Sequence, residues 1–388
     1  MSIETTVRMK TIGQILAETP LIDGHNDLPW QFRKLSKDGV DGIELGEDMT
    51  ALTPPVATDL KRLKAGGVGG QFWAVYVPAS MSGAEAVAAL LEQIDRVHRF
   101  VARYPDSLEL ALTAEDVVRI HGQGKIASLI GLEGGHCINN SLAVLRMSHA
   151  LGARYLTLTH VKNNDWADAG TDQPLHHGLT PFGEQVVREM NRLGMMVDLS
   201  HVSDDTMRAA LKISRASAIC SHSGARALCG HRRNVPDDLL KQIAASGGIV
   251  MAAFLPAYLT EPERLDDEAA NREMTRLTES HGDDPSSIAK AFAEWRNANS
   301  EPRKTTLQHV ADHIDHIREV AGIDHVGIGS DFDGFKNPPM GLEDVSCFPA
   351  LLAELQKRGY SESDLKKVAG ENILRVMRAV EKTAATDV

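Results

Sequence analysis

The chain of 388 residues contains little cysteine and no long apolar run, and each absence excludes a class of protein. Its four cysteines form no CxxC pair and lack the spacing of a disulfide framework. No apolar run is long enough to span a bilayer, and the stretch before Leu21 lacks the apolar segment of a signal peptide. We therefore expect a cytoplasmic protein with no membrane attachment.

Basic residues are in the minority, with 41 Lys and Arg against 53 Asp and Glu and a formal net charge of −12. This excess of negative charge argues against nucleic acid or an anionic membrane as a partner. Glycine-rich phosphate motifs are also missing, because the GGVGG stretch at 66–70 precedes a strand and has no Lys-Ser/Thr. A small-molecule partner remains, and the oligomeric state stays open, with a homo-oligomer as one option.

Eight short β-rich runs occur along the chain, and most are continuously apolar, as in strands buried on both faces of a parallel sheet. They are Leu21–Gly24, Gly70–Val77, Ile126–Leu132, Tyr155–Thr159, Met195–Leu199, Ala216–Cys220, Gly248–Phe254 and Val326–Gly329. Stretches of helical period, such as Gly83–Tyr104 and Pro181–Leu193, separate most of them. This alternation predicts an α/β fold, a (β/α)8 TIM barrel. The count of eight favours the barrel over an open doubly wound sheet.

One region interrupts the alternation. Residues 261–322 are charged and mostly helical in period, and we interpret them as a helical insertion after the seventh strand plus the helix that leads to the eighth. Residues 346–380 predict extra C-terminal helices that complete the outer layer. Because the sequence shows no internal repeat and no low-complexity tract, we expect a single domain over 1–388, elaborated at 261–322.

Six of the eight runs end next to a residue that binds metals or transfers protons. In a barrel the carboxyl ends of the strands meet at one rim, where active sites form. Scattered side chains of this kind are therefore expected to converge. The residues concerned are His25 and Asp27 after the first run, Glu133 after the third, His160 after the fourth, His201 after the fifth, His222 after the sixth and Asp331 after the eighth.

Imidazole and carboxylate ligands suit Zn²⁺, and two zinc ions about 3.5–4 Å apart need a group that touches both. Glu133 is the candidate bridge, together with a water or hydroxide. One ion would have His25, Asp27 and Glu133, and the other would have Glu133, His201 and His222. We interpret Asp331 as a general base and then acid, because it faces this centre from the eighth strand. A structural turn residue in SDFDG is the alternative for Asp331.

Other polar residues are less specific. His160 either polarises a substrate carbonyl or is a satisfied structural group. The pair Arg232-Arg233 either clamps a substrate carboxylate or lies on the surface before a helix. His309, His313 and His316 share one helical face, but no partner ligand accompanies them, so we interpret that face as solvated.

A series of motifs in fixed order carries a family resemblance. They are DGHNDLPW, GLEGGH, LTLTH with a downstream NNDWAD, DLSHVS, SHSGARAL with RRNVPDD, and GIGSDFDG. Together they resemble the membrane (renal) dipeptidase family, the M19 metallopeptidases of the amidohydrolase superfamily, from Pro20 to about Val380. Without a leader or an apolar tail after Val380, the chain resembles the bacterial cytosolic members of that family.

The resemblance implies a barrel with two zinc ions that hydrolyses dipeptides. It implies that His160 contacts the substrate carbonyl, that Arg233 binds the terminal carboxylate, and that Asp331 carries the proton. The residues that match the metal ligands of the family are His25, Asp27, Glu133, His201 and His222.

The leading hypothesis is therefore a binuclear zinc dipeptidase, which is expected to accept L-Xaa-D-Xaa substrates as well. A zinc amidohydrolase acting on N-acyl amino acids or β-lactam-like amides is the alternative, because any substrate with a free carboxylate suits Arg233. A metal-loaded binding protein without activity is a third hypothesis. Asp331 argues against it, because a binding protein has no need for a proton carrier beside the metals.

Overall fold

A computed structural model describes residues 10–36, 40, 42–53, 55–282, 284–299 and 305–385. Its strands are short, and every strand pairing is parallel. Within the described residues they are β1 (Leu21–Asn26), β2 (Val68–Tyr76), β3 (Leu108–Leu110), β4 (Ile126–Glu133), β5 (Ala153–Thr157), β6 (Met196–Asp198), β7 (Ile219–Ser223), β8 (Ile249–Ala252) and β9 (Val326–Ile328).

The sheet closes on itself to form a barrel. Strands β1, β2, β4, β5, β6, β7, β8 and β9 are neighbours in that order, and β9 pairs with β1 to complete the ring. The remaining strand, β3, pairs with Ile126–Ser128 at the start of β4, and β5 pairs with the later residues of β4, from Ile130 to Glu133. The predicted (β/α)8 barrel is therefore confirmed, and all strand carboxyl ends face one rim.

Strand boundaries differ from the predictions in ways that matter for the site. The run predicted at Ala216–Cys220 is displaced to Ile219–Ser223, which places His222 inside a strand. Strand β1 continues to Asn26, so His25 also lies in a strand. Strand β3 was not predicted, because three residues are too few to show a periodic pattern.

Helices surround the barrel and fill its connections. The α-helices of the described residues are α1 (Ile12–Glu18), α2 (Leu28–Leu35), α3 (Leu60–Ala65), α4 (Gly83–Arg103), α5 (Ala114–Gly122), α6 (Leu142–Ala150), α7 (Pro181–Leu193), α8 (Asp204–Ile213), α9 (Asp237–Ala245), α10 (Pro256–Leu259), α11 (Glu261–His281), α12 (Pro285–Asn299), α13 (Leu307–Ala321), α14 (Phe348–Lys357), α15 (Glu362–Lys366) and α16 (Asn372–Ala385). Short 3₁₀ turns occupy Met49–Ala51, Gly135–Ile138, Ile323–His325 and Val345–Cys347, and a π-helical turn occupies Lys367–Glu371. None of the described helices is both long enough and apolar enough to cross a membrane.

The helical insertion predicted after the seventh barrel strand consists of α11 and α12, which pack on each other, followed by α13, which packs on α9 and β9. The prediction of a solvated histidine face on α13 is wrong for His313, which is 1% exposed. Its Nδ1 accepts from the Ala225 N–H at 2.9 Å, and its Nε2 donates to the Leu259 carbonyl at 3.1 Å. Burial lowers the pKa of His313 to about 4, so the ring is neutral and joins α13 to the loops beside it.

Two fully buried carboxylates join the strand ends beneath the rim. The oxygens of Asp23 on β1 accept hydrogen bonds from the Ser330 N–H at 2.6 Å and the Ser330 hydroxyl at 2.7 Å, beyond β9. Asp198 on β6 accepts from the Thr157 hydroxyl on β5 at 2.6 Å, and from the Ser221 N–H at 2.8 Å and hydroxyl at 2.6 Å on β7. Such bonds hold neighbouring strands in register where the site begins.

We expect Asp198→Ala to lower the free energy of unfolding by about 3 kcal/mol or more, because it leaves several buried donors without an acceptor. Urea denaturation measures this change. Asp205→Ala, on the exposed side of α8, removes only a 3.6 Å surface pair with Arg208 and should cost less than about 0.5 kcal/mol. A loss below about 1 kcal/mol for Asp198→Ala would show that the carboxylate does not hold the strands together.

Candidate metal centre

Five of the predicted site residues place their ligand atoms close together at the rim. The side chains come from β1, β4 and β7, and from the turns that follow β1 and β6. Among the described residues, two groups share Glu133, and within each group the ligand atoms lie within 4.8 Å of one another. The first group is His25, Asp27 and Glu133, and the second is Glu133, His201 and His222.

Glu133 faces both groups, each with a different oxygen. Its Oε2 lies 3.4 Å from His25 Nε2, and the same nitrogen lies 3.4 Å from Asp27 Oδ2. Its Oε1 lies 3.1 Å from His201 Nε2 and 3.7 Å from His222 Nε2. Ligands about 2.0–2.1 Å from a tetrahedral zinc ion are about 3.4 Å apart, so these separations suit a carboxylate between two cations.

Hydrogen bonds behind the histidines fix which nitrogen faces the centre. His25 Nδ1 lies 2.9 Å from the Tyr155 hydroxyl, which in turn donates to the Gly24 carbonyl at 3.2 Å. His222 Nδ1 lies 2.8 Å from the Ser221 hydroxyl, which donates to Asp198. In both rings Nδ1 therefore carries a hydrogen, and Nε2 faces the other ligands. Partners of this kind are typical of metal-binding histidines.

The electrostatics of the cluster favour a bound cation. Although burial alone lowers the pKa of His25, Tyr155 and Glu133 beside it raise that pKa well above its ordinary value. Burial lowers the pKa of His201 and His222, so both are neutral ligands. The Nε2 of His25 is buried, has no hydrogen-bond partner and lies beside the carboxylates of Asp27 and Glu133. The neutral rings of His201 and His222 face the other Glu133 oxygen. This set of nitrogen and oxygen atoms fits a divalent metal.

Asp331 lies directly beyond β9 and reaches the same centre. Its Oδ1 is 4.0 Å from His25 Nε2, and it forms a third ligand group with His25 and His222. The geometry therefore allows Asp331 to face a bound metal as well as to move a proton. Asp331 and His201 have φ values of 65° and 70°, a backbone region that side chains other than glycine rarely adopt. Such strain is typical of residues whose position is set by function.

A cavity of about 300 Å³ opens over the centre. Its floor carries Asp27, Glu133 and Asp331, and aromatic side chains line its walls. His160 contributes to the lining, and its ring lies 4.9 Å from the Tyr76 ring and 4.4 Å from the His201 ring. Burial lowers the pKa of His160, which keeps the ring neutral and able to donate one hydrogen bond. A dipeptide is of a size suited to a cavity of this volume.

Arg233 lies behind the cavity wall and is 2% exposed. Its guanidinium lies over the ring of Tyr258, which lines the cavity, with 5.2 Å from Cζ to the ring centroid. It donates to the His222 carbonyl at 3.1 Å, and its Nε has no partner. The described residues place no carboxylate oxygen within ion-pair distance of it. A buried guanidinium without an anion is costly, and a ligand carboxylate would offset that cost.

The structure places all eight sequence-predicted site residues in or against one cavity. Sequence reasoning missed the residues behind them, above all Tyr155 and Asp198. A carboxylate inside an otherwise apolar run such as MMVDL is a signal for Asp198, because buried carboxylates need hydrogen-bond donors nearby. No comparable signal marks Tyr155, whose hydroxyl meets His25 only because β1 and β5 lie across the barrel from each other.

Comparison with known proteins identifies the family of this chain. The family model for membrane dipeptidase, peptidase family M19, matches residues 9–387. Dipeptidase verJ of Clonostachys rogersoniana is 40% identical over 382 residues, which cover 96% of this chain and 87% of that protein. Dipeptidase tcpJ of Claviceps purpurea is 39% identical over 408 residues, covering 100% of this chain and 85% of that protein. The chain belongs to the membrane dipeptidase family, M19, and has its metallopeptidase fold.

Solved structures show the same architecture. The probable dipeptidase PvdM from Pseudomonas aeruginosa superposes with a TM-score of 0.80 at 27% identity, over 96% of this chain and 98% of that one. A metallopeptidase from Rhodobacter sphaeroides, liganded with a phosphinate mimic of the dipeptide L-Ala-D-Ala, superposes with a TM-score of 0.75 at 25% identity, over 94% of this chain and 99% of that one.

Gly334 is a position where a side chain should disturb the centre. A Cβ there would overlap Asp27 Oδ2 and would lie 2.5 Å from Asp331 Oδ1. We expect Gly334→Ala to weaken binding of Zn²⁺ by about tenfold or more, measured by calorimetry, because the two carboxylates must move apart. In Gly13→Ala the new methyl group meets nothing within 4 Å, so this variant should bind zinc like the wild type. Equal affinities for the two variants would show that the carboxylates adjust freely.

Proposed function

We propose that this chain is a binuclear zinc dipeptidase that hydrolyses the peptide bond of dipeptides, including L-Xaa-D-Xaa. The observation that carries the proposal is the position of Glu133, whose two oxygens face two separate groups of ligand atoms. Membership of the M19 family supports the dipeptidase activity. The L-Ala-D-Ala mimic in the Rhodobacter sphaeroides structure supports the D-residue at the second position.

His25, Asp27 and Glu133 would hold one zinc ion, and Glu133, His201 and His222 would hold the other. When bound, the two ions supply Lewis acidity and make a water molecule a better nucleophile at neutral pH. The remaining residues act on the substrate and on its protons. His160 Nε2, at the cavity wall, donates to the carbonyl oxygen of the scissile bond, where negative charge develops.

Asp331 holds the proton that must move during hydrolysis. Its carboxylate accepts a proton from the attacking water and then donates it to the nitrogen of the leaving amine, as one group acting first as base and then as acid. Its place beyond β9, on the cavity floor, lets it face both the water and the amine. Arg233 binds the C-terminal carboxylate of the substrate, which restricts the enzyme to short peptides.

Asp331→Asn tests the proton transfer. We expect kcat for L-Ala-D-Ala to fall by roughly 10²–10⁴-fold, since an amide cannot accept the proton, while elemental analysis still finds about two zinc ions per chain. Asp205→Asn, at an exposed residue that does not line the cavity, should leave both quantities unchanged. Wild-type turnover by Asp331→Asn would remove Asp331 from the mechanism. Absence of bound metal in reconstituted wild-type protein would overturn the binuclear proposal.

Arg233→Lys tests the carboxylate contact. We expect its KM for a free dipeptide to rise by roughly tenfold to a hundredfold, because an ammonium replaces a two-pronged contact, whereas dipeptide amides should be hydrolysed poorly by both proteins. The matched control is Arg232→Lys, next along the chain but exposed. Equal turnover of dipeptides and their amides by the wild type would contradict this role. Faster turnover of N-acyl amino acids than of dipeptides would favour the amidohydrolase alternative.

A further inference from the structure

A lysine on α2 reaches the cavity without a carboxylate partner. Lys34 is exposed and lines the cavity, and its Nζ lies 5.9 Å from the centroid of the Trp30 ring. Within the described part of the chain, no carboxylate oxygen comes within 4.0 Å of this Nζ. Its neighbour Arg33 differs, because Nη1 of Arg33 pairs with Glu92 Oε2 at 2.7 Å. Lys34 thus presents to the cavity an ammonium group that forms no ion pair with the described residues.

A second lysine reinforces this charge. Lys336, in the loop after β9, is exposed and lines the two cavities on either side of that loop. Like Lys34, it has no carboxylate partner among the residues that the structure describes. Burial lowers the pKa of Lys34, the negative charge of Asp27 raises it, and Lys336 lowers it, which indicates that Lys34 lies within the electrostatic field of both of these side chains. This side of the rim therefore carries two lysines that pair with no described carboxylate, in a chain whose net charge is −12.

Lys34 and Arg233 lie on different sides of the barrel mouth. Lys34 is on α2, the helix after β1, and Arg233 is in the loop after β7. Going around the barrel from β7 to β1, two strands (β8 and β9) intervene in one direction and four in the other. If Arg233 binds the C-terminal carboxylate, the N-terminal residue of a dipeptide extends across the centre towards Trp30 and Lys34. The carboxylates that would repel an anion lie on the floor, whereas Lys34 lies at the rim.

We propose that Lys34 is a specificity residue that binds an anionic side chain on the first residue of the substrate, so that dipeptides beginning with Asp or Glu are preferred. This inference rests on the proposed dipeptidase function. An ammonium attracts a carboxylate more strongly than it attracts the matching amide. Lys336 adds to the attraction at longer range, and salt screens that part first.

The test compares L-Glu-L-Ala with L-Gln-L-Ala, which differ only in charge and hydrogen-bonding at the end of one side chain. For the zinc-loaded wild type at low salt we expect kcat/KM to be about tenfold higher for the glutamyl dipeptide, through KM rather than kcat. In Lys34→Met this ratio should fall towards one, and Lys34→Arg should restore most of it. Lys212→Met removes an exposed charge on the outer helix α8 and should keep the wild-type ratio.

A wild-type ratio near one, or a tenfold ratio that survives in Lys34→Met, would overturn the proposal. Failure of the dipeptidase function gives a different result, since no dipeptide would then be hydrolysed, L-Ala-D-Ala included. In that event calorimetry with the same two dipeptides still tests Lys34. About tenfold tighter binding of the glutamyl dipeptide by the wild type, lost in Lys34→Met, supports the assignment. Equal affinities would reject it.

Discussion

Closure of the parallel barrel is the constraint on which the rest of the structure depends. Because all pairings are parallel and β9 returns to β1, the carboxyl ends of eight strands meet on one rim. Asp23 and Asp198 hold neighbouring strand ends together from inside that rim. Residues that are more than a hundred positions apart in sequence therefore approach each other to within a few ångströms. Without closure, Glu133 would face at most one of its two groups of partners.

The centre concentrates groups that are unfavourable when considered one at a time. Buried carboxylates, imidazole nitrogens that face each other and two left-handed backbone positions all oppose folding. Tyr155 and Ser221 limit this cost through their hydrogen bonds to Nδ1 of His25 and His222. The same arrangement brings Nε2 of these two histidines close to the two oxygens of Glu133. A bound cation would offset the negative charge of this arrangement.

Two cationic side chains lie around the mouth of the cavity rather than on its floor. The cavity of about 300 Å³ has Tyr258 with Arg233 behind it on one side, and Trp30 with Lys34 on another. Neither cation has a carboxylate partner among the described residues. Under the proposed function, a small cavity with a cation on each of two sides suits a short substrate held at both ends.

The sequence by itself determined the barrel and which histidines and carboxylates meet at its rim. Apolar runs set the strands, and a histidine or carboxylate directly after a run marks the rim, because strand direction fixes which end it occupies. The roles of these residues in binding and catalysis stay predictions. Tertiary structure alone decided that His313 is buried, that Tyr155 orients His25, that Arg233 lies behind Tyr258 and that Lys34 reaches the cavity. These features depend on contacts between distant segments, which no local pattern of residues records.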